Sequence, residues 1–338
     1  MLKNKKYHIF FLTWLVGMLT LVALIIVVGG LTRLTDSGLS ITKWELFSGI
    51  LPPLSSVEWN DYFSQYKQIP QFTLLNSKMT LNEFKIIFLW EYYHRLLGRV
   101  IGLFFIVPFL YLIFKNILKK NIIKKLFVLF ILILSQGLIG WYMVVSGLTN
   151  NVSVSHYRLA FHLFTAFIIF SSFVWIFINY ITNEKKKFLQ INLNFLLIKI
   201  LLFLVFIQII FGALVSGLDA GKIYQTWPLM NGKYFPDDHT FNELFNFNNP
   251  SFVQFIHRNI AYIIFFLAIY LGIFIYKNKL IKLYSSYLFF FLIIILQVVL
   301  GISTLFSDLN IFFASSHQVS SIFLVVSSLN LYHRSIRS

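Results

Sequence analysis

Eight apolar runs, each near the ~20 residues that cross a bilayer as a helix, constrain this chain more than any other feature. They lie near residues 10–30, 93–114, 126–145, 159–181, 195–214, 256–276, 283–305 and 312–331. None alternates apolar with polar residues, so helices rather than barrel strands are expected to satisfy the backbone in lipid. The chain is 58% hydrophobic and 12% charged over 338 residues, more apolar surface than a water-soluble fold of this size can hide. The sequence therefore predicts an all-α integral membrane protein with eight transmembrane helices. The first run is too long for a cleaved signal peptide and lacks a small-residue cleavage site after it, so it is expected to remain as a span.

The formal net charge of +16 would fit nucleic acid if it were clustered on one face. It is instead distributed over alternate loops. Lys3, Lys5 and Lys6 precede the first run, and Lys115, Lys119, Lys120, Lys124 and Lys125 separate the second and third. Lys185 to Lys187 follow the fourth, Lys277, Lys279 and Lys282 part the sixth and seventh, and Arg334 and Arg337 end the chain. Of the 12 acidic residues only Glu184 lies among them. The positive-inside rule makes these loops and both termini cytoplasmic and leaves no nucleic-acid footprint. The chain has no cysteine, which excludes disulfides, iron–sulfur clusters and thiolate ligands.

Two long segments, 33–89 and 216–255, fall on the opposite side and carry Trp, Pro and acidic residues, as folded caps do. They also expose an internal repeat. Gly29-Gly30-Leu31 aligns with Gly212-Ala213-Leu214, Asp36 with Asp219, and Trp44 with Trp227 at the same offset. Glu91-Tyr92-Tyr93-His94-Arg95 then aligns with Gln254-Phe255-Ile256-His257-Arg258, Gln136 with Gln297, and His162 with His317. The expected architecture is two parallel-repeat four-helix bundles, residues 1–183 and 184–338, related by an axis along the membrane normal. Transporters also use such repeats.

Eight histidines are present. His8 and His333 at cytoplasmic helix ends and His239 in the second cap read as surface residues. His94, His162, His257 and His317 fall in the first turns of the even-numbered spans, which all enter from the outer side. Four imidazoles at similar depth within lipid point to function. Two per half, on the second and fourth helices, can approach each other across a bundle. No Asp, Glu or Cys accompanies both pairs as a zinc or di-iron centre requires. Bis-histidine haem ligation fits better, with apolar walls and glycine where the macrocycle nears backbone; the alternative is four satisfied polar residues between helices. His156 lies about 240° around the helix from His162, has no counterpart in the second half, and reads as a rim residue. Arg95, Arg99, Arg158 and Arg258 beside the histidines suit haem propionates or lipid headgroups.

Glu91 precedes His94 by three residues, on the same helical face, where the second half has Gln254. A carboxylate serves a site that handles protons or developing positive charge; otherwise it is an ion-pair partner for Arg95 or Arg258.

These motifs, with Gln136-Gly137-Leu138-Ile139-Gly140-Trp141, Val154-Ser155-His156-Tyr157-Arg158-Leu159-Ala160-Phe161-His162 and Tyr224-Gln225-Thr226-Trp227-Pro228-Leu229-Met230, resemble the haem A synthase (CtaA/Cox15) family in its alphaproteobacterial and mitochondrial branch. The resemblance implies oxidation of the C8 methyl of haem O to a formyl group by successive hydroxylation, giving haem A for cytochrome oxidase. It implies that His94 and His162 hold the substrate haem, that His257 and His317 ligate an electron-transferring haem b, and that Glu91 is the catalytic carboxylate. Haem O synthase, oxidase assembly factors and an electron acceptor are the partners it implies. Some bacterial members carry a cysteine pair in an outer loop, and a mechanism that needs it cannot operate here. A dihaem electron carrier of cytochrome b type is the alternative, and the Glu91/Gln254 asymmetry argues against it. A transporter is a third reading, opposed by the density of paired histidines.

Overall fold

The computed structural model describes residues 1–44, 48–148, 151–188, 196–238 and 246–336. His239 and Arg337 lie outside the described residues. The helices run in the order α1 (His8–Leu34), α2 (Ser56–Tyr66), α3 (Pro70–Leu75), α4 (Leu81–Phe114), α5 (Lys120–Val145), α6 (His156–Ile181), α7 (Leu196–Gly217), α8 (Pro250–Lys277), α9 (Ile281–Phe306) and α10 (Ile311–Ser335). All except α2 and α3 are long and apolar enough to cross a membrane. Among the described residues the only β pairing is two isolated bridges, Leu2–Leu118 and Met230–Lys233.

The expected spans are present, with one large difference at an end. The apolar run begins near residue 93, yet α4 begins at Leu81. Thr80 accepts from the backbone N–H of Glu83 while the Glu83 carboxylate accepts from that of Thr80, a capping box. The helix therefore starts well before the apolar run. His94 lies thirteen residues beyond Leu81, about three and a half turns in, not in the first turns. His162, His257 and His317 do lie early, in the second turns of α6, α8 and α10.

The chain divides into two compact units, Met1–Ile169 and Phe170–Ser338. The boundary falls inside α6, whereas the repeat predicts four-helix halves that meet after residue 183. In the first unit α1 packs along α4, and α4 along α5. Trp14 donates its indole N–H to the Phe104 carbonyl (2.9 Å), and the Thr32 hydroxyl, bonded to the Val28 carbonyl of its own helix (2.9 Å), also lies 3.3 Å from that of Trp90, so α1 meets α4 at two levels. The segment between α1 and α4 is a folded cap, as its composition implies. Phe63, Tyr66, Phe84, Phe88 and Tyr92 form one buried cluster with Leu39, Ile41 and Val144, and Gln71 donates to the Asp36 carbonyl (3.0 Å).

In the second unit α7 packs on α8, α8 on α9, α9 on α10, and α10 on α7. Phe266, Tyr270 and Ile273 are exposed along one face of α8. In water each would forgo roughly 1.5–3 kcal/mol of burial; in hydrocarbon nothing is lost. α1 and α7 are each followed by an aspartate at φ 50°, Asp36 and Asp219. The repeat aligns these two, and aspartate is among the few side chains that tolerate the left-handed region.

One histidine departs from expectation. His8 is exposed, but His333 is only 1% exposed. Its carbonyl accepts from Lys186 (3.0 Å), its ring packs on Trp175 (5.1 Å between centroids), and Nε2 lies 3.6 Å from Glu184. The lysine-rich segment after α6 packs over this end of α10, a tertiary contact that composition does not encode.

Candidate functional site

In the first unit, α4 and α6 bring the rings of His94 and His162 together edge-on. Their ring centroids stand 6.4 Å apart at an interplanar angle of 70°. A metal bonded at about 2 Å to one nitrogen of each ring, with about 1.1 Å from that nitrogen to the ring centre, sets trans imidazole centroids roughly 6 Å apart. The spacing therefore fits one axially ligated ion. Among the described residues no three His, Asp or Glu converge. Two imidazoles alone complete the axial set of a haem but not a structural zinc site.

Burial supports the same fit. Nδ1 of His94, His162, His257 and His317 is in each case buried with no hydrogen-bond partner. A bare buried polar atom costs about 1–3 kcal/mol, and each of the four histidines carries one.

Each ring rests on a glycine of a neighbouring helix. A Cβ added to Gly29 would stand 2.8 Å from Cε1 of His94, and one on Gly140 3.3 Å from that of His162. Likewise Gly212 would meet His257 at 3.3 Å and Gly301 would meet His317 at 3.2 Å. The sequence reading assigned glycine to close approach of a macrocycle, whereas here it seats the imidazoles themselves. Gly29 aligns with Gly212, and Gly140 with Gly301 at the offset that relates Gln136 to Gln297. The repeat spacing alone encodes that second pairing.

Among the charged residues, the aligned pair Glu91 and Gln254 differs between the units. Glu91 is 3% exposed. Its Oε1 accepts from Arg95 (2.6 Å), and its Oε2 accepts from the Ser40 hydroxyl (2.7 Å) and the Ile41 N–H (2.9 Å). The carboxylate is thus anchored one turn from His94, and pinned to it is the segment that leaves α1. Gln254, aligned with Glu91, donates instead to the Tyr224 carbonyl (2.9 Å). Arg95 donates to the carbonyls of Ile41 (2.9 Å) and Lys43 (3.2 Å). Arg258 donates to those of Tyr224 and Thr226, both at 2.8 Å. Ile41 and Lys43 align with Tyr224 and Thr226, so each arginine clamps the same stretch of its own cap. Neither spends all five guanidinium donors on these contacts, and Nε of Arg258 is buried without a partner. Lys43, Arg95 and Arg99 line one cleft with Tyr62, Phe88 and Tyr92. Arg158 packs over the Tyr142 ring (4.5 Å). His156 opens α6 with its ring on Tyr157 (4.1 Å), apart from the pair that His162 makes with His94.

Comparison with known proteins completes the description. Residues 12–329 match the COX15-CtaA family, described as cytochrome oxidase assembly protein. The chain is 48% identical over 329 residues to a protein of Pelagibacter ubique named heme A synthase, covering 95% of this chain and 96% of that one. It is 42% identical over 316 residues to the heme A synthase of Rickettsia bellii (92% and 94%). A third relative, the heme A synthase of Bartonella quintana, is 42% identical over 340 residues (98% and 92%).

Proposed function

The chain belongs to the COX15-CtaA family of cytochrome oxidase assembly proteins, and from that membership we propose that it oxidises a methyl group of haem O to the formyl group of haem A. The observation that carries the site is the pair His94 and His162, 6.4 Å apart, beside an anchored carboxylate that the second unit lacks. His94 and His162 hold the substrate haem O. His257 and His317 hold a haem b, which when bound supplies one-electron transfer. Arg95 and Arg258 keep the caps closed through their backbone contacts and have donors left for propionates.

Each hydroxylation breaks a C–H bond of the methyl carbon and forms a C–O bond to a water oxygen, releasing two protons and two electrons, and the electrons must pass to an acceptor. The second hydroxylation yields a hydrate, which loses water to give the formyl group. Glu91, ion-paired to Arg95 and held by two further donors, fixes a carboxylate one turn from His94, where its oxygens carry the negative end of the pair. Such a charge lowers the energy of a transition state in which the methyl carbon becomes positive. Ser40 and the Ile41 N–H keep the carboxylate from swinging away.

The halves 1–183 and 184–338 are repeats in a bacterial inner membrane, with the lysine-rich loops and both termini cytoplasmic. Haem O synthase and oxidase assembly factors are the partners that would deliver substrate and take product.

Pigment extraction decides the central point. Membranes of cells that make haem O should contain haem A only when the full chain is expressed. Haem O alone in membranes where the protein is present and haem-loaded refutes the reaction and leaves a dihaem electron carrier.

A further inference from the structure

Three of the four paired histidines share a contact that the fourth lacks. Gln136 on α5 donates its amide to the backbone carbonyl of His162 at 3.3 Å. Gln297 on α9 donates to that of His317 at 3.2 Å and to the Ser320 hydroxyl at 2.9 Å, and Gln208 on α7 donates to that of His257 at 3.1 Å with its amide also 3.3 Å from the ring Nε2. In each case the glycine that seats the ring follows four residues later on the same helix, at Gly140, Gly301 and Gly212. Residues four apart share a helical face, so one helix grips both the ring and the main chain of the histidine.

His94 rests on Gly29, but four residues earlier stands Ile25, which has no side-chain donor. Ile25 points its Cδ1 toward Gly98, 3.8 Å from where a Cβ would lie. α1 meets α4 one turn away, at Thr32 and Trp90, and again where Trp14 donates to Phe104. Among the described residues no side chain donates to the carbonyl of His94. The isoleucine falls in the unit that has Glu91, the unit assigned above to the substrate.

We propose that Gln136, Gln208 and Gln297 are positioning residues that hold their histidines against a haem, and that Ile25 leaves His94 as the releasable ligand of the first unit. If, as proposed above, that haem is the substrate, its product must leave in every cycle, so at least one axial bond has to open. A resident haem has the opposite requirement. A glutamine tie on His162 but not on His94 keeps one ligand fixed to receive the next haem and frees the other. Two tied ligands at His257 and His317 keep the second haem in place.

The test uses the full-length protein in detergent, loaded with protohaem or haem O, and follows haem transfer to excess apomyoglobin. Carbon monoxide binding to the reduced protein is a second readout, because it reports an open axial position rather than fold or turnover. Release should be biphasic, with the fast phase absent in His94→Ala. Ile25→Gln should slow that phase by about 3- to 15-fold, the range one interhelical hydrogen bond in a membrane supports, and should reduce carbon monoxide binding. Ile25→Leu should do neither. Gln208→Leu should speed the slow phase by a similar factor and leave the fast phase alone; it decides the matter by itself if Ile25→Gln does not assemble. Unchanged rates in variants whose fast phase still needs His94 overturn this inference alone. Two haems retained in both His94→Ala and His162→Ala overturn the substrate-site assignment and this inference with it.

Discussion

Replacing Glu91 by Gln keeps the size of the side chain and removes its charge. The structure indicates how large the two consequences are. The carboxylate accepts from Arg95 at 2.6 Å, from Ser40 at 2.7 Å and from the Ile41 N–H at 2.9 Å. An amide keeps one accepting oxygen for Ser40 and Ile41 but loses the guanidinium bond, and a hydrogen bond to a charged group contributes about 1.5–3 kcal/mol. Part of this is recovered. The aligned Gln254 donates to the Tyr224 carbonyl at 2.9 Å although Arg258 already donates there. The introduced amide has the equivalent carbonyl, that of Ile41, available in the same way. The net stability loss is therefore about 1–2 kcal/mol, which leaves a folded protein with its histidine pair intact. Loss of a preorganised charge from a reacting centre costs about 10²–10³-fold in rate, roughly 2.7–4 kcal/mol. Activity should fall much further than haem content. Haem A formed per bound haem measures this directly, with Ser40→Ala as the comparison that removes one donor without touching the charge. Near-normal conversion by Glu91→Gln would reduce Glu91 to a structural partner of Arg95. An equal loss in Ser40→Ala would shift the explanation from charge to the position of the segment after α1. Adding Gln254→Glu to Glu91→Gln should not restore turnover.

Gly29→Ala should weaken haem retention in the first unit more than Gly140→Ala does, since the added Cβ meets His94 at 2.8 Å against 3.3 Å for His162. Overpacking of about 1–3 kcal/mol corresponds to roughly 5- to 150-fold, and equal retention in titrations with haem would contradict the seating role. His257→Ala or His317→Ala should each abolish one low-spin haem signal in reduced-minus-oxidised spectra, while His156→Ala should leave both; loss of haem in His156→Ala with retention in His162→Ala would reverse the ligand assignment. Burial, and next the hydrogen bond to Asp237, push the Tyr224 hydroxyl up to about 12 from its ordinary 10.0. What the neutral phenol contributes to the second cap is full below pH 10.0 and disappears as pH rises through about 12. Ultraviolet titration should move downward in Asp237→Asn, and an unmoved curve would exclude the carboxylate as a cause. Reporter fusions after Lys125, Lys187 and Lys282 should lie in the cytoplasm and fusions near Asp61 and Asp237 on the other side; a cytoplasmic Asp61 would invert the arrangement.

Much of this protein is written in quantities that add along the chain. Hydropathy summed over a run decides what enters lipid, so the eight spans were readable from the order of apolar residues along the chain. Lysine counts in short loops set orientation in the same additive way. The repeat carried the pairing of His94 with His257, of His162 with His317, and the mismatch of Glu91 with Gln254, because homologous positions keep their offsets whatever the packing. What the sequence left open depends on how helices rotate against one another. That Gly29 and Gly140 seat imidazoles, that Arg95 holds the carbonyls of Ile41 and Lys43, and that Gln208 reaches His257 while Ile25 turns to Gly98 are contacts between residues 20 to more than 50 positions apart. A shift of one residue, about 100° of helix rotation, would abolish any of them without changing hydropathy or charge. The early start of α4 and the burial of His333 are of the same kind. Each depends on a cap or a neighbouring segment that satisfies local backbone or side-chain groups, which only the folded chain brings into place.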